Sequence, residues 1–64
     1  MKNNLLGKKV RGTNAYGKSV GEVGIVVETF PKEADRFGNY PIVVEYADGR
    51  RIDTKSFWVN VEVD

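Results

Sequence analysis

The chain has 64 residues, a net charge of +1, and neither cysteine nor histidine. This length allows one domain over residues 1–64, and the missing residue types exclude disulfides, thiolate zinc sites and the commonest general base. No apolar run approaches the roughly 20 residues that span a bilayer, and the first residues lack the apolar core of a signal peptide. We therefore expect no cofactor, no membrane partner and a cytoplasmic location.

The basic residues are unevenly distributed along the chain. Up to residue 21 there are five basic residues and no acidic one, whereas residues 22–64 contain five basic and nine acidic residues. This asymmetry predicts a basic face and an acidic face on the folded domain. Solvated surface charges without a binding role would give the same pattern.

Five β-strands are predicted in chain order, separated by turn-forming residues. The first covers residues 8–13 and precedes a turn-rich loop over 14–21. The second covers 22–29, where Gly24 indicates a bulge or bend. A long connection over 30–39 leads to the third strand at 40–46, and Asp48-Gly49 predicts a two-residue type I′ turn before the fourth at 50–54. Residues 55–58 predict a short 3-10 turn before the last strand at 59–64.

Alternation of apolar residues predicts which side chains form the core. The expected members are Val10, Val23, Ile25, Val27, Ile42, Val44, Tyr46, Ile52, Val59, Val61 and Val63. Five short strands with one long and one tight connection predict an all-β fold, a five-stranded, partly open SH3-like barrel. Residues 1–6 are expected to form a flexible N-terminal arm of this single domain.

Glycine and valine recur at characteristic intervals near the start of the chain. The residues concerned are Gly7-Lys8-Lys9-Val10-Arg11, followed by Gly17, Gly21, Gly24, Val26 and Glu28. This segment resembles the KOW motif of NusG-like transcription factors and some ribosomal proteins. The resemblance implies an SH3-like barrel and a nucleic-acid partner, and its glycines suit a tightly turning loop and a bent strand.

A second resemblance extends over nearly the whole chain. It is carried by Val10-Arg11, Val23-Gly24, Tyr40-Pro41-Ile42-Val43-Val44, Thr54, Phe57 and Val61-Glu62-Val63. These residues are similar to the small stromal subunit of photosystem I and its electron-transport accessory relatives. Both resemblances imply the same architecture, but they imply different partners, as is common for a fold that has many functions.

Six basic side chains are candidate contacts to nucleic-acid phosphates. They are Lys8, Lys9, Arg11, Lys18, Arg50 and Arg51. Consecutive residues of a strand point to opposite faces, so Lys8 and Lys9 are not expected to share one surface. The alternative is that these lysines protect an edge strand against aggregation.

Three aromatic side chains are candidate anchors for a protein, or platforms for stacking on a base. They are Tyr16, Phe37 and Trp58. We expect Phe57 to fill the core and Trp58 to be partly exposed, so that Trp58 beside Tyr16 would form a groove. The alternatives are that Trp58 seals the end of the barrel and that Tyr16 packs onto it. Phe37, with Phe30, is expected to clamp the long connection to the barrel.

Catalysis is not expected. The serines have no identifiable base beside them, and the sequence gives no reason to single out a pair of carboxylates for acid–base catalysis. The sequence predicts a binding module and leaves two partners open. One is nucleic acid, held by the basic residues. The other is a protein, with the chain serving as an accessory subunit or as a phage- or plasmid-type inhibitor that binds a host protein through its loop aromatics.

Overall fold

A computed structural model describes residues 5–62 of the chain. Its strands are β1 (Lys9–Thr13), β2 (Ser19–Thr29), β3 (Pro41–Glu45), β4 (Arg51–Lys55) and β5 (Val59–Val61). Short 3-10 turns occupy Pro31–Glu33 and Ser56–Trp58. Among residues 5–62 no helix is long and apolar enough to cross a membrane.

The five strands form one antiparallel sheet in the order β4-β3-β2-β1-β5. The long strand β2 connects its two halves, because its first part pairs with β1 and its last part pairs with β3. Irregularities in both pairings bend β2, and the sheet remains open at β4 and β5. The predicted all-β fold, a partly open five-stranded barrel with a 3-10 turn before the last strand, is confirmed.

The core lies on the inner face of this bent sheet. Its members are Leu5, Val10, Val26, Tyr40, Ile42, Val44 and Val59. Val10, Val26 and Ile42 are each 1% exposed, and burying such a side chain stabilises the fold by roughly 1.5–3 kcal/mol. Leu5 belonged to the predicted flexible arm, but it is only 3% exposed and packs in this core. Residues 1–4 lie outside the described residues.

The predicted inward face of β2 is wrong. Val26 and the buried Gly24 face the core, whereas Val23, Ile25 and Val27 lie on the outer face, with Ile25 44% exposed. Gly24 explains the arrangement, since a Cβ at this position would overlap Cγ1 of Val44. A glycine lets β2 cross close to β3 where the barrel bends.

Two further predicted core residues are exposed, because the sheet does not close. Ile52 on β4 is 40% exposed and Val61 on β5 is 44% exposed. Both lie on edge strands, where no neighbouring strand covers the outer side of the residue. The prediction that they are buried is therefore wrong, and Val63 lies outside the described residues.

Ser56 joins the end of β4 to the beginning of β3. Its side chain is fully buried, and its hydroxyl accepts a hydrogen bond from the backbone N–H of Tyr40 at 3.1 Å. In return, the N–H of Ser56 donates to the carbonyl of Tyr40 at 2.9 Å. This reciprocal pair holds the Ser56–Trp58 turn against the connection that leads into β3.

Candidate functional site

The six candidate phosphate-binding residues lie on three segments of the chain. Lys8, Lys9 and Arg11 lie at or in β1, and Lys18 lies in the turn that follows β1. Arg50 and Arg51 lie on the hairpin between β3 and β4. The strand register places Lys9 and Arg51 on the same face of the sheet, but Ile25 and the carboxylate of Glu45 lie between them. A phosphate-tracking surface needs several cations side by side, and these two are not adjacent.

All three arginines of this set form ion pairs with carboxylates. The pairs are Arg11–Glu62 at 3.8 Å, Arg50–Glu22 at 2.7 Å, Arg50–Asp48 at 2.9 Å and Arg51–Glu45 at 3.3 Å. The buried Nε of Arg11 has no hydrogen-bond partner, because 3.8 Å is too long for a hydrogen bond. These carboxylates offset the positive charge that a phosphate would otherwise meet.

At the hairpin, Arg50 and Asp48 each shift the pKa of the other. The backbone N–H of Arg50 and then its guanidinium lower the pKa of Asp48 below its usual value. The hydrogen bond from its guanidinium to Asp48 raises the pKa of Arg50. The Arg50 guanidinium also lies 4.9 Å from the centre of the Tyr46 ring. Because both side chains of the pair are more than half exposed, it organises the turn more than it stabilises the fold.

Three loops close with the same hydrogen bonds around a glycine of positive φ. They are Asn14–Lys18, Asp35–Asn39 and Tyr46–Arg50, with Gly17 at φ 80°, Gly38 at φ 85° and Gly49 at φ 90°. The predicted type I′ turn at Asp48-Gly49 is wrong, because Asp48 does not have the positive φ that this turn requires. The loop is a three-residue hairpin in which glycine alone takes the left-handed conformation.

Two of these loops present an aromatic side chain immediately before the glycine. Tyr16 is 88% exposed and Phe37 is 78% exposed. The Oδ1 of Asn14 accepts hydrogen bonds from two backbone N–H groups of the first loop, at 2.9 and 3.1 Å. The Oδ1 of Asp35 does the same in the second loop, at 2.9 and 3.0 Å. These bonds fix the two loop backbones, so both rings project from ordered turns.

Phe57 and Trp58 also lie at the surface. Phe57 is 61% exposed, so the prediction that it fills the core is wrong. Trp58 is 50% exposed, which agrees with partial exposure, and its ring meets that of Phe57 edge to face at 5.3 Å between centroids. Consecutive residues of a 3-10 turn cannot both point inward, and the buried member of this turn is Ser56.

A shallow cleft of about 440 Å³ lies between the first loop and the Ser56–Trp58 turn. It is lined by Thr13, Asn14, Ala15, Gly17, Phe57, Trp58 and Asn60. The Oγ1 of Thr13 donates to the carbonyl of Trp58 at 3.3 Å, and the Nδ2 of Asn60 donates to the carbonyl of Gly17 at 3.1 Å. These contacts join the first loop to the Ser56–Trp58 turn. Trp58 lines the cleft and Tyr16 does not, so the cleft differs from the predicted groove between these two rings.

The loop that carries Phe37 is linked to the same turn through the backbone. Phe37 precedes Tyr40 by three residues, and Tyr40 is bound to Ser56 through the reciprocal pair described above. The clamp expected for Phe37 is wrong, because its ring is exposed and lies 5.4 Å below the guanidinium of Arg36. We call the four exposed rings of Tyr16, Phe37, Phe57 and Trp58 the aromatic end of the barrel. Phe57 and Trp58 contact each other, and the loops that carry Tyr16 and Phe37 are linked to their turn by the hydrogen bonds of neighbouring residues.

Comparisons with protein-family models, with curated proteins and with solved structures give no match to this chain. They therefore provide no support for the KOW or photosystem I resemblance. Within residues 5–62, no cluster of three or more acidic side chains is placed to hold a metal ion. Sequence reasoning missed the exposure of Phe57 and the lining residues Asn14 and Asn60. The pattern Asn14-x-x-Gly17 was the available signal for the first loop.

Proposed function

We propose that this chain is a non-catalytic binding module that docks onto a protein through its aromatic end. The observation that carries the proposal is the exposure of four large rings, from 50% at Trp58 to 88% at Tyr16, on turns held by hydrogen bonds. Exposed Tyr and Trp supply large contact areas with little loss of side-chain entropy, and they are typical anchors of protein interfaces.

The electrostatics of the barrel favour a protein partner over nucleic acid. The arginines predicted to meet phosphates are paired with carboxylates, and the cleft beside Trp58 is lined by uncharged residues. Lys18 lies two residues after Tyr16, Arg36 stacks on Phe37, and Lys55 immediately precedes the Ser56–Trp58 turn. These three cations are fewer than a nucleic-acid groove normally uses.

Loops that are ordered before binding would increase the affinity of this docking. Each ring at a loop tip sits next to a glycine of positive φ, and an Asn or Asp side chain closes the loop backbone. A loop that is ordered before binding loses less conformational entropy when the partner arrives. The uncharged cleft favours an apolar or neutral stretch of the partner, with Trp58 and Phe57 as one wall.

Selection from a random peptide library on the immobilised domain tests this proposal. Peptides that bind the domain should lose at least about tenfold in affinity to Tyr16→Ala and to Trp58→Ala, the loss typical of interface anchors. Ile52→Ala is the matched control, because it removes an exposed apolar side chain from an edge strand outside the aromatic end. Equal losses in all three variants would contradict docking at the aromatic end.

The nucleic-acid alternative is measured in parallel. Fluorescent single-stranded DNA, duplex DNA and RNA are titrated with the domain at about 50 and 200 mM salt, where binding to phosphates weakens steeply. Micromolar binding that collapses with salt and is lost in Lys18→Glu would replace the protein proposal. Absence of binding at low salt, together with peptide binding that needs Tyr16 and Trp58, would support it.

A further inference from the structure

The outer face of β2 carries a second surface that shares no residue with the aromatic end. Val23, Ile25 and Val27 form the floor of a depression of about 630 Å³. Its walls include Lys9 and Glu62 on one side and Glu45, Tyr46 and Ala47 on the other. These three apolar side chains alternate along β2 and share its outer face, and among residues 5–62 of the single chain no other element covers them.

Charges flank this apolar stripe in an ordered row across the sheet. Ile25 pairs with Lys9 of β1 and with Glu45 of β3. Beyond Lys9 lies Glu62, the residue after β5, whose backbone N–H donates to the Lys9 carbonyl at 2.8 Å. Beyond Glu45 lies its register and ion-pair partner on β4, Arg51, at 3.3 Å. From Glu62 to Arg51 the row therefore reads negative, positive, apolar, negative, positive.

This row is complementary to itself. A two-fold axis parallel to β2 and passing over Ile25 places a second copy face to face on the first. The axis exchanges the two sides of the stripe, so Lys9 of each copy faces Glu45 of the other. Ile25 then meets Ile25 at the centre. A two-fold interface is isologous, so every favourable contact in it occurs twice.

We propose that the outer face of β2 binds a second copy of this chain through that row. The charge order specifies one orientation, because a two-fold axis perpendicular to β2 would place Lys9 against Lys9 and Glu45 against Glu45. The surface is small, and interfaces below about 1,200 Å² of total buried area are weak and transient. The dimer therefore forms at high protein concentration and weakens as salt is added.

Sedimentation velocity of the chain from about 20 µM to about 2 mM tests the dimer, and this span covers weak association. The wild type should shift from monomer to dimer over this range. Lys9→Glu and Glu45→Lys should each weaken the association at least about tenfold, because like charges then face each other twice. The double variant K9E/E45K restores opposite charges across the axis and should return to within about threefold of the wild type.

Two further variants show whether a loss of association comes from the proposed interface, from the change of net charge or from unfolding. Lys32→Glu makes the same charge change on the Pro31–Glu33 turn and should leave the association unchanged. Ile25→Lys places two cations at the axis and should abolish the dimer, while circular dichroism reports whether each variant stays folded. A wild type that remains monomeric at about 2 mM, or a double variant as weak as the single ones, would overturn the proposal.

Discussion

Replacing Gly24 by alanine tests the close approach of β2 and β3 that bends the barrel. The added Cβ would overlap Cγ1 of Val44 and would lie 3.1 Å from both the carbonyl oxygen of Glu45 and Cδ1 of Tyr46. Val44 is 2% exposed and the carbonyl belongs to a paired strand, so neither has free space into which it can move. Such overpacking typically costs about 1–3 kcal/mol.

The net effect is smaller than the overpacking term, because alanine also restricts the unfolded chain by about 0.4–1 kcal/mol. We therefore expect Gly24→Ala to destabilise the domain by about 1–2 kcal/mol. At about 4–8 °C per kcal/mol for a domain of this size, the melting temperature should fall by roughly 5–15 °C. Thermal unfolding followed by circular dichroism, with urea titration at 25 °C, measures both quantities.

Gly12→Ala is the matched control for this change. Gly12 lies in β1, and a Cβ there would have only the carbonyl oxygen of Val20 as a neighbour, at 3.8 Å. This is ordinary van der Waals contact, so Gly12→Ala should leave the stability unchanged or raise it slightly. If both variants melt at the same temperature, the close approach at Gly24 does not constrain the fold and the argument is refuted.

Three further changes test the stability of other parts of the domain. Ser56→Ala removes the acceptor for the buried N–H of Tyr40 and should cost about 1–3 kcal/mol in urea unfolding. Asp48 has a lowered pKa in the folded state, so its contribution is complete above about pH 4 and is lost as the pH falls further. Asp48→Asn should therefore flatten the decline of the melting temperature below about pH 4, and an unchanged decline would contradict this contribution of Asp48. Phe57→Ser should change the melting temperature by less than about 4 °C, because Phe57 is 61% exposed, and a fall comparable to that of a core variant would show that the ring is buried.

The number of strands and their positions along the chain could be predicted because the signals were local. Turn formers separate the β-branched runs, and all five strands appear near their predicted positions, with β2 beginning earlier, at Ser19. The turn type between β3 and β4 was mispredicted for an equally local reason. Asp-Gly is compatible with both a two-residue and a three-residue hairpin, and only the φ of Asp48 distinguishes them.

The inward face of β2 was not predictable from alternation. The run from Val23 to Val27 is apolar on both faces, so period-two counting gives no preference between them. Gly24 is the residue that decides, because it faces the core without contributing a side chain. When both faces of a strand are apolar, a glycine within it therefore favours the arrangement in which the glycine lies on the core face.

The candidate site depended on contacts between residues far apart in the chain. Arg50 meets Glu22 across 28 residues, and Thr13 meets Trp58 across 45. The sequence showed that cations and carboxylates are both present, but not which carboxylate neutralises which arginine. Charge counts along the chain therefore do not show how far the positive charge of the arginines is offset. The sequence also left open whether Tyr16 packs onto the barrel, and the structure shows that it is exposed.

The distribution of aromatic side chains is the strongest physical argument that the aromatic end is a binding surface. The core contains one aromatic residue, Tyr40, while Tyr16, Phe37, Phe57 and Trp58 are at least half exposed. A domain of about 60 residues buries little surface and has a marginal core, and each large apolar side chain left outside forgoes roughly 1.5–3 kcal/mol of stabilisation. Rings that folding does not bury remain available for burial against a partner, and three of the four belong to residues whose backbone is fixed by a hydrogen bond to a side chain. The proposed role of these rings in binding and their small role in stability should therefore separate experimentally, because substitutions there should abolish docking without unfolding the barrel.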